Sequence, residues 1–591
     1  MAIQTRKEMD AAFQWALSDI FKDGTAWQQA YDKAEAELGE LGAISGSLKD
    51  AASLRQGLDT YYRIQQDIFL VYIYAMLVKS GDNGDPEAQA MEERAMRLYV
   101  TADAESSFLT PEILALPKET LEACKSDPAL AGYRHILQDI DRGRPYTLDA
   151  EREKMLAMLQ SAAQTPDNSF TMLESVDMTF PAVTDAQGNE VTLTHGNFSV
   201  FRESPDRWVR QEAYEKYFGE FKRFINTSAA MYAGSVKFDT FFSDVRGYPS
   251  ACEAALFSSN VPVSVYDSLI EAVHDKLPAM QAYIELRKRV LGIQELHMYD
   301  LYCPIVEDVQ TTLTYDEAKA LVREALRPLG EEYGRLLDRA FDERWIDVYE
   351  NAGKTTGAFS CGVHGVHPYV LLNFSGQLDD AFTLAHELGH AMHSFFSSEA
   401  QDFANHGYRI LVAEVASTVN EVLLLKYLLA REQDGARRAY LLNRFLEGFR
   451  TTLFRQVLFA EFEREVHDMH QRGEPVIAES LNALYRSLNE RYYQGAVVDE
   501  LQDIEWARIP HFYRAFYVYQ YATGYASAVA IAEDILQGKG VPNYLAFLKT
   551  GGSDYPLNEL RLAGVDLTQP DTVRSALEVF SATVQELAGL L

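Results

Sequence analysis

Residues 386–390 read HELGH, a His-Glu-x-x-His pentapeptide in a segment patterned as a helix. Two histidines four residues apart lie about one turn apart on one helix face, so the imidazoles of His386 and His390 can reach a single ion. Glu387 projects about 100° around the helix from His386, where it can contact a water on that ion. Two imidazoles and one carboxylate leave a fourth position for water, and this arrangement suits zinc. The pentapeptide therefore predicts a zinc site on a helix.

The flanking residues favour a helix from about residue 379 to residue 397. Asp379 and Asp380 stand where an N-cap and a negatively charged first turn belong. Apolar residues then recur at helical spacing and give the helix a core-facing stripe beside its ligand face: Leu384, Leu388, Ala391 and Phe395. Six of the 13 histidines fall between residues 364 and 406, and such clustering favours a site over scattered surface histidines.

A third metal ligand is expected from a second helix. The metzincin pattern requires glycine at position 393 and histidine at position 396, but this chain has His393 and Phe396. The apolar run 411–425 reads as a buried helix and contains two acids. A buried carboxylate needs a cation or a proton. Glu414 is the preferred third ligand, and Glu421 is the alternative, which could instead accept a hydrogen bond from a ligand histidine.

Three blocks of sequence carry a family resemblance. They read HELGHAMH at 386–393, VAEVAST at 412–418, and RIPHFY at 508–513 followed by FYVYQYATGY at 516–525. Together they resemble the oligoendopeptidase F branch of the thimet-oligopeptidase family of zinc peptidases, and the similarity covers nearly the whole chain. The resemblance implies a mainly α-helical, two-lobed zincin-type peptidase. Its deep substrate channel would admit oligopeptides rather than folded proteins.

The resemblance also assigns roles to individual residues. His386, His390 and Glu414 match the ligands of one Zn2+ ion per chain, and Glu387 matches the catalytic acid/base. His511 and one or two tyrosines would face the zinc and hold the developing oxyanion. Tyr521 is the preferred tyrosine, and Tyr517 and Tyr525 are the other candidates, with Tyr517 expected to contact substrate. Because Tyr513, Tyr517, Tyr521 and Tyr525 recur every four residues, half-buried packing is the alternative interpretation of this stripe.

Two β segments interrupt the helical pattern. Runs 178–183 and 190–195 flank a turn and predict a β-hairpin. Runs 356–363 and 369–374 predict a small sheet just before the metal helix. An edge strand near Gly357 and Ala358 could pair with an extended peptide substrate, although a sheet used only for packing is the alternative. His364 and His367, in the turn between these runs, are expected to be solvated loop residues, and His467 and His470 surface residues.

Length and composition limit the classes of function. The 591 residues suggest an N-terminal helical lobe over 1–200, ending in the hairpin, and a zinc peptidase region over 201–591. A net charge of −33 argues against nucleic-acid binding. The chain shows neither a secretory signal nor a transmembrane run, and its four cysteines lack paired spacing. These features predict a cytoplasmic protein without membrane partners, and they leave its oligomeric state open.

The combined prediction is an intracellular zinc endopeptidase that cleaves internal bonds of short oligopeptides. Two other classes of function are alternatives. A general endopeptidase would also digest long or folded proteins. A peptide-binding protein with a structural zinc would bind without cleavage, but structural sites usually close all four metal positions with cysteine or histidine.

Overall fold

The computed structural model describes residues 3–306 and 312–591. Over this part of the chain the fold is mainly α-helical, as the sequence predicted, with a few short strands. Within these ranges every helix falls short of the combined length and hydrophobicity that crossing a bilayer demands.

The chain divides into two compact units, each built from three separate segments. Unit 1 contains Met1–Pro145, Gln310–Tyr427 and Ile531–Val565. Unit 2 contains Tyr146–Val309, Leu428–Ala530 and Asp566–Leu591. The boundary expected between residues 200 and 201 falls inside a helix of unit 2, His195–Arg202, and the division of the chain there stays a prediction.

Unit 1 holds the first six helices, a later group around a small sheet, and two short helices near its end. Its helices are α1 (Gly24–Ile44), α2 (Ala51–Gly81), α3 (Pro86–Ser106), α4 (Leu109–Ala115), α5 (Lys118–Ser126), α6 (Arg134–Arg142), α14 (Tyr315–Ala325), α15 (Gly330–Asp342), α16 (Leu378–Ala400), α17 (Ile410–Arg431, whose last residues belong to unit 2), α22 (Val541–Leu548) and α23 (Pro556–Leu562). Its strands are β4 (Ile346–Asp347), β5 (Phe359–Cys361) and β6 (Tyr369–Leu371).

Unit 2 is helical apart from two small pairs of strands. Its helices are α7 (Ala150–Ala163), α8 (Thr165–Met172), α9 (His195–Arg202), α10 (Arg207–Arg223), α11 (Ile225–Arg246), α12 (Ala251–Phe257), α13 (Val263–Val290), α18 (Gly435–Gly448), α19 (Arg455–Gln471), α20 (Ala478–Tyr492), α21 (Tyr519–Leu536, which ends in unit 1) and α24 (Asp571–Leu590). Its strands are β1 (Ala182–Thr184), β2 (Glu190–Thr192), β3 (Leu296–His297) and β7 (Ala496–Val497). Strands β1 and β2 pair antiparallel, which confirms the predicted hairpin.

The predicted sheet before the metal helix is also confirmed. Its strand order is β4-β6-β5, with β4 parallel and β5 antiparallel to the central strand β6. Strand β5 is therefore an edge strand. Gly362, directly after β5, allows a close approach to α16, because a Cβ atom there would lie 2.7 Å from Cβ of Ser394. The sheet and the metal helix are thus held against each other.

Helix α16 begins one residue before the predicted start and ends at Ala400. Gln377 is its N-cap, and the Asp380 carboxylate accepts the Gln377 backbone N–H at 2.8 Å. Asp379 and Asp380 provide the predicted negative first turn, where their charges interact favourably with the positive end of the helix dipole. The cap therefore lies before the two acids, since Asp380 reaches back to it from the third helical position.

Helices α16 and α17 pack unusually close together at Gly389. A Cβ atom on Gly389 would lie 2.5 Å from Cα of Ser417 and 2.6 Å from the carbonyl oxygen of Ala416. Asn420 joins the same two helices, since its Nδ2 donates to the carbonyl of Ala385 at 2.9 Å. This backbone contact sets how far the side chains of α17 must reach to meet those of α16.

Candidate functional site

Three side chains that the sequence singled out meet in unit 1. His386 and His390 project from neighbouring turns of α16, and their Nε2 atoms lie 3.2 Å apart. The Oε2 atom of Glu414, on α17, lies 3.5 Å from Nε2 of His386 and 3.6 Å from Nε2 of His390. Among the described residues, these three form the one group of His, Cys, Asp and Glu side chains whose arrangement could hold a metal ion.

The triangle of donor atoms has the size that a tetrahedral metal ion requires. Ligand atoms about 2.0–2.1 Å from a zinc ion lie about 3.3 Å from one another, close to the three observed distances. Glu414 is 39% exposed, so it is not the buried carboxylate that its apolar surroundings in the sequence suggested. It projects from the apolar helix toward the two histidines rather than into the core.

Glu421 lies on the other side of the His386 ring. Its Oε1 atom is 2.6 Å from Nδ1 of His386, and this contact turns Nε2 of the ring toward Glu414. Burial opposes the charged form of His386, but the hydrogen bond and negative charge of Glu421 raise the pKa of this histidine. The two acids of α17 therefore contact opposite nitrogens of one imidazole.

Glu387 is buried beside the triangle without belonging to it. Burial raises the pKa of Glu387, and the nearby Glu414 and Glu421 add to that effect against the opposing influence of the two histidines. A carboxylate with a raised pKa is a stronger base than an ordinary one, and it can return the proton that it accepts.

The other histidines near the pentapeptide have structural environments. His393 is fully buried and stacks on Tyr408 with ring centroids 3.8 Å apart. Burial lowers the pKa of His393 to about 3, so the ring is neutral. His367 is not the solvated loop residue that was expected. It is buried, stacks on Trp345 and contacts Asp19 at 3.0 Å. The expectation is also wrong for His364, which is half-buried and contacts Gln66 and a backbone carbonyl.

A cavity lies between the edge of the sheet and the first turns of α16. Its volume is about 270 Å³, and it is lined by Gly357, Ala358, Leu372, Asn373, Phe374, Asp380 and Thr383. Gly357, two residues before β5, has the left-handed conformation that glycine allows, with φ of 78°. Gly357 and Ala358, which were expected to pair with the substrate, therefore line a concave surface beside the edge strand.

The expected oxyanion residues belong to unit 2. The Tyr521 hydroxyl lies 3.3 Å from Nε2 of His511, and the Tyr517 ring lies 5.5 Å from that of Tyr521. Burial and the neighbouring Arg514 lower the pKa of His511, which favours its neutral form. His511, Tyr517 and Tyr521 therefore form one local group of hydrogen-bonding side chains.

The four-residue tyrosine spacing does not correspond to one helix face. Helix α21 begins only at Tyr519, so Tyr513 and Tyr517 precede it. Tyr513 stacks on Phe170, and Tyr525 packs on Phe449. The packing interpretation therefore applies to Tyr513 and Tyr525. Tyr517 and Tyr521 instead contact the ring of His511.

A buried acid that the sequence did not single out fixes the loop before α21. Phe516 has φ of 55°, a left-handed conformation that is uncommon for residues other than glycine. Its backbone N–H donates to Oε1 of Glu463 at 2.8 Å. Glu463 is fully buried on α19, and burial raises its pKa well above the usual range. No local motif marks this contact, because it joins residues distant in sequence.

His467 was expected at the surface, and this expectation is wrong. The side chain is 2% exposed, its ring lies 4.7 Å from that of Phe516, and its Nε2 lies 3.2 Å from Asp239. His470 is half-buried at the end of the same helix. Both histidines lie in unit 2 and neither belongs to the metal-binding group.

Comparison with known proteins agrees with this geometry. Residues 200–579 match the model of peptidase family M3, and residues 112–180 match the model of oligopeptidase F. The chain is 40% identical to oligopeptidase PepF of Bacillus subtilis, in an alignment that covers 99% of this chain and 88% of the relative.

Two solved structures have the same fold. A structure from Chlamydophila abortus has 33% identity and a TM-score of 0.94, and the match covers 100% of both chains. Oligoendopeptidase-F of Enterococcus faecium has 36% identity and a TM-score of 0.74, over 95% of this chain and 98% of that one. The chain therefore belongs to peptidase family M3, in its oligoendopeptidase F group, and is a metalloendopeptidase.

Proposed function

We propose that this metalloendopeptidase uses one zinc ion to hydrolyse internal peptide bonds of short oligopeptides. The observation that carries the proposal is the triangle of His386, His390 and Glu414, whose donor atoms lie 3.2–3.6 Å apart. A structural zinc site would close all four positions. Because no fourth His, Cys, Asp or Glu joins the group among the described residues, the site favours catalysis over a structural role.

Each residue of the site then has a chemical role. When bound, zinc would polarise the scissile carbonyl and make the attacking water more acidic. Glu387 would take the proton of that water and pass it to the leaving amine. Glu421 would hold His386 in the orientation that binds the metal, through the contact at Nδ1.

His511 and Tyr521 are proposed to donate hydrogen bonds to the developing oxyanion. Their mutual contact at 3.3 Å supports a joint role, and a neutral imidazole and a phenol can donate without adding a net charge. Tyr517 is proposed to contact the substrate beside them.

The substrate is proposed to be an extended peptide that adds to the edge strand β5 near Gly357 and Ala358. Backbone pairing gives affinity for many sequences, and the 270 Å³ cavity beside the strand can accept a side chain. We further propose an intracellular setting, since Cys124, Cys252, Cys303 and Cys361 are all free thiols.

One experiment tests the proposal as a whole. Metal-free protein, zinc-loaded protein and zinc-loaded Glu387→Gln are each incubated with a mixed library of short peptides, and the products are identified by mass spectrometry. The proposal requires internal cleavage by zinc-loaded wild-type protein alone. Peptide binding without cleavage by that sample would instead establish a binding protein with a structural zinc.

A further inference from the structure

One connected group of charged side chains in unit 2 contains more arginines than carboxylates. Five guanidinium groups and two carboxylates are connected through ion pairs and contacts with one tyrosine, Tyr302. The guanidinium groups belong to Arg202, Arg287, Arg450, Arg455 and Arg508, and the carboxylates belong to Glu447 and Glu505. Buried charges usually occur in compensated sets, so this excess of positive charge calls for a negative partner.

Both carboxylates are already engaged by other arginines. Glu447 accepts from Arg287 at 2.9 Å and from Arg450 at 2.5 Å. Glu505 accepts from Arg455 at 2.7 Å and lies 3.6 Å from Arg508. Glu505 also accepts from the hydroxyl of Tyr485 and the amide of Gln502. Neither acid is left to compensate a further charge.

Arg202 differs from the other four arginines of this group because its guanidinium has no carboxylate partner among the described residues. Its central carbon lies 3.3 Å from the ring centre of Tyr302, and Arg450 lies 4.4 Å from the same centre. Among the described residues, no carboxylate lies within ion-pair distance of Arg202, and its buried Nε atom has no hydrogen-bond partner. The adjacent Glu203 is exposed to solvent.

A small cavity lies at this point. It is lined by Arg202, Tyr302, Arg455, Tyr493, Gln502 and Glu505 on its polar side, and its volume is about 10 Å³. A water-sized sphere can be centred anywhere within that volume, so the cavity has room for one small particle. Burial raises the pKa of Tyr302, but the guanidinium groups of Arg455, Arg202 and Arg450 outweigh burial and lower this pKa to about 8.

We propose that this cavity binds one small monatomic anion, with chloride as the physiological species, between Arg202 and Arg455. The anion supplies the negative charge that the surrounding carboxylates do not, and it completes the hydrogen bonding of Arg202. The narrow cavity favours a halide over acetate, nitrate or a peptide carboxylate. The site uses residues of unit 2 only, so the proposal does not depend on the metal site of unit 1.

The test measures thermal stability at fixed ionic strength while chloride replaces gluconate. Metal-loaded and metal-free protein are compared, so that binding of chloride to the metal is separated from binding in unit 2. Chloride should raise Tm saturably by about 1–3 °C in both samples, and acetate and nitrate should not. Broadening of the chloride NMR signal by wild-type protein, reversed by bromide, gives a second measurement that needs no variant.

Three variants complete the test. Arg202→Gln should lose both the chloride-dependent rise in Tm and the broadening of the chloride NMR signal. Arg223→Gln, which alters an exposed arginine of the same unit, should keep them. Tyr302→Phe should also keep them, because the ring that covers Arg202 remains. Equal Tm in chloride and gluconate for wild-type protein, or a full chloride response in Arg202→Gln, would overturn the proposal. So would a chloride-independent tyrosinate absorption that disappears in Tyr302→Phe, since Tyr302 would then supply the negative charge itself.

Discussion

Glu414 and Glu421 show how two glutamates of one helix take different positions around a single imidazole. Glu414 faces the Nε2 atoms of both histidines, and Glu421 faces only Nδ1 of His386. Two turns of helix separate them on nearly the same face, so the sequence could not distinguish their roles. The distinction depends on where α17 crosses α16, which is a property of the packed structure.

The first prediction separates these two acids. Glu414→Ala should lose zinc, because the site would keep two protein ligands. Glu421→Ala should keep the three ligands and lose only about 10–100-fold in zinc affinity, since His386 would be less well oriented. Zinc content and competition with a chelator measure the effect. The assignment would be wrong if Glu421→Ala were the variant that emptied the site.

The second prediction concerns Glu387. Glu387→Gln should retain zinc and lose about 10²–10⁴-fold or more in turnover, because the amide cannot accept the proton of water. The side chain is buried, and glutamine has the same shape, so folding should be preserved. Zinc content and peptide cleavage are measured on the same sample. A variant with normal turnover, or one without zinc, would contradict the proposed role.

The third prediction is a pH dependence of stability caused by Glu559 on α23. This side chain is 1% exposed, and burial, with a smaller effect from Asp554 against Arg409, raises its pKa from 4.5 to about 8. Between these values the folded state holds a proton that the unfolded chain has released. The contribution of Glu559 to stability therefore falls as pH rises from about 4.5 to about 8, by up to about 1.4 kcal/mol per pH unit.

Glu559→Gln removes this titration. The Tm of the variant relative to wild-type protein should increase between pH 5.5 and pH 8, both within the window set by the pKa of Glu559. Glu331→Gln, at a position whose side chain is 95% exposed, is the matched control and should show no such trend. Parallel Tm curves for Glu559→Gln and wild-type protein would show that Glu559 is not the titrating group.

At the scale of elements, the contact between α16 and α17 depends on Gly389. The fourth prediction is that Gly389→Ala separates the two helices, because the new methyl group would overlap the backbone at Ser417. The expected cost is about 1–3 kcal/mol in stability, with weaker zinc binding as Glu414 moves away from the histidines.

A matched glycine provides the control for this prediction. Gly39 lies in helix α1 of the same unit, and an added Cβ there would meet no atom within 4 Å. Gly39→Ala should be neutral or slightly stabilising, since alanine is the better helix former. If both substitutions behave alike in Tm and zinc affinity, the close approach of the helices does not position the site.

Elements with a strong local pattern could be predicted from the sequence, and those determined by distant contacts could not. The spacing in residues 386–390 predicted helix α16 and its pair of histidines. The predictions for His367 and His467 were wrong because their contacts with Asp19 and Asp239 join residues that are far apart in the chain. The tyrosine spacing was misleading because the backbone turns at Phe516, where φ is positive, before α21 begins.

At the scale of the whole molecule, the proposed function makes a prediction about substrate length. The proposed restriction to short oligopeptides requires a substrate channel that an extended peptide can enter and a folded protein cannot. Peptides of about ten residues should therefore be cut much faster than long unfolded chains, and native globular proteins should survive. Competition between a short peptide and an unfolded protein, followed by mass spectrometry, measures this preference. Equal rates for both would indicate a general protease with the same zinc chemistry.

Because each unit is built from three separate segments of the chain, the order of translation affects when each unit can fold. Unit 1 takes its last segment from Ile531–Val565, so a nascent chain cannot complete it until most of the message has been translated. Trp15, Ile73 and Leu77 pack against Tyr369 and Leu371 in the finished protein, and they lack these partners until the chain has been translated beyond residue 371. Early helices therefore leave the ribosome with an uncovered apolar surface, which is the kind of surface that chaperones bind. A gene truncated before the codon for Ile531 should yield an aggregating product rather than a smaller enzyme.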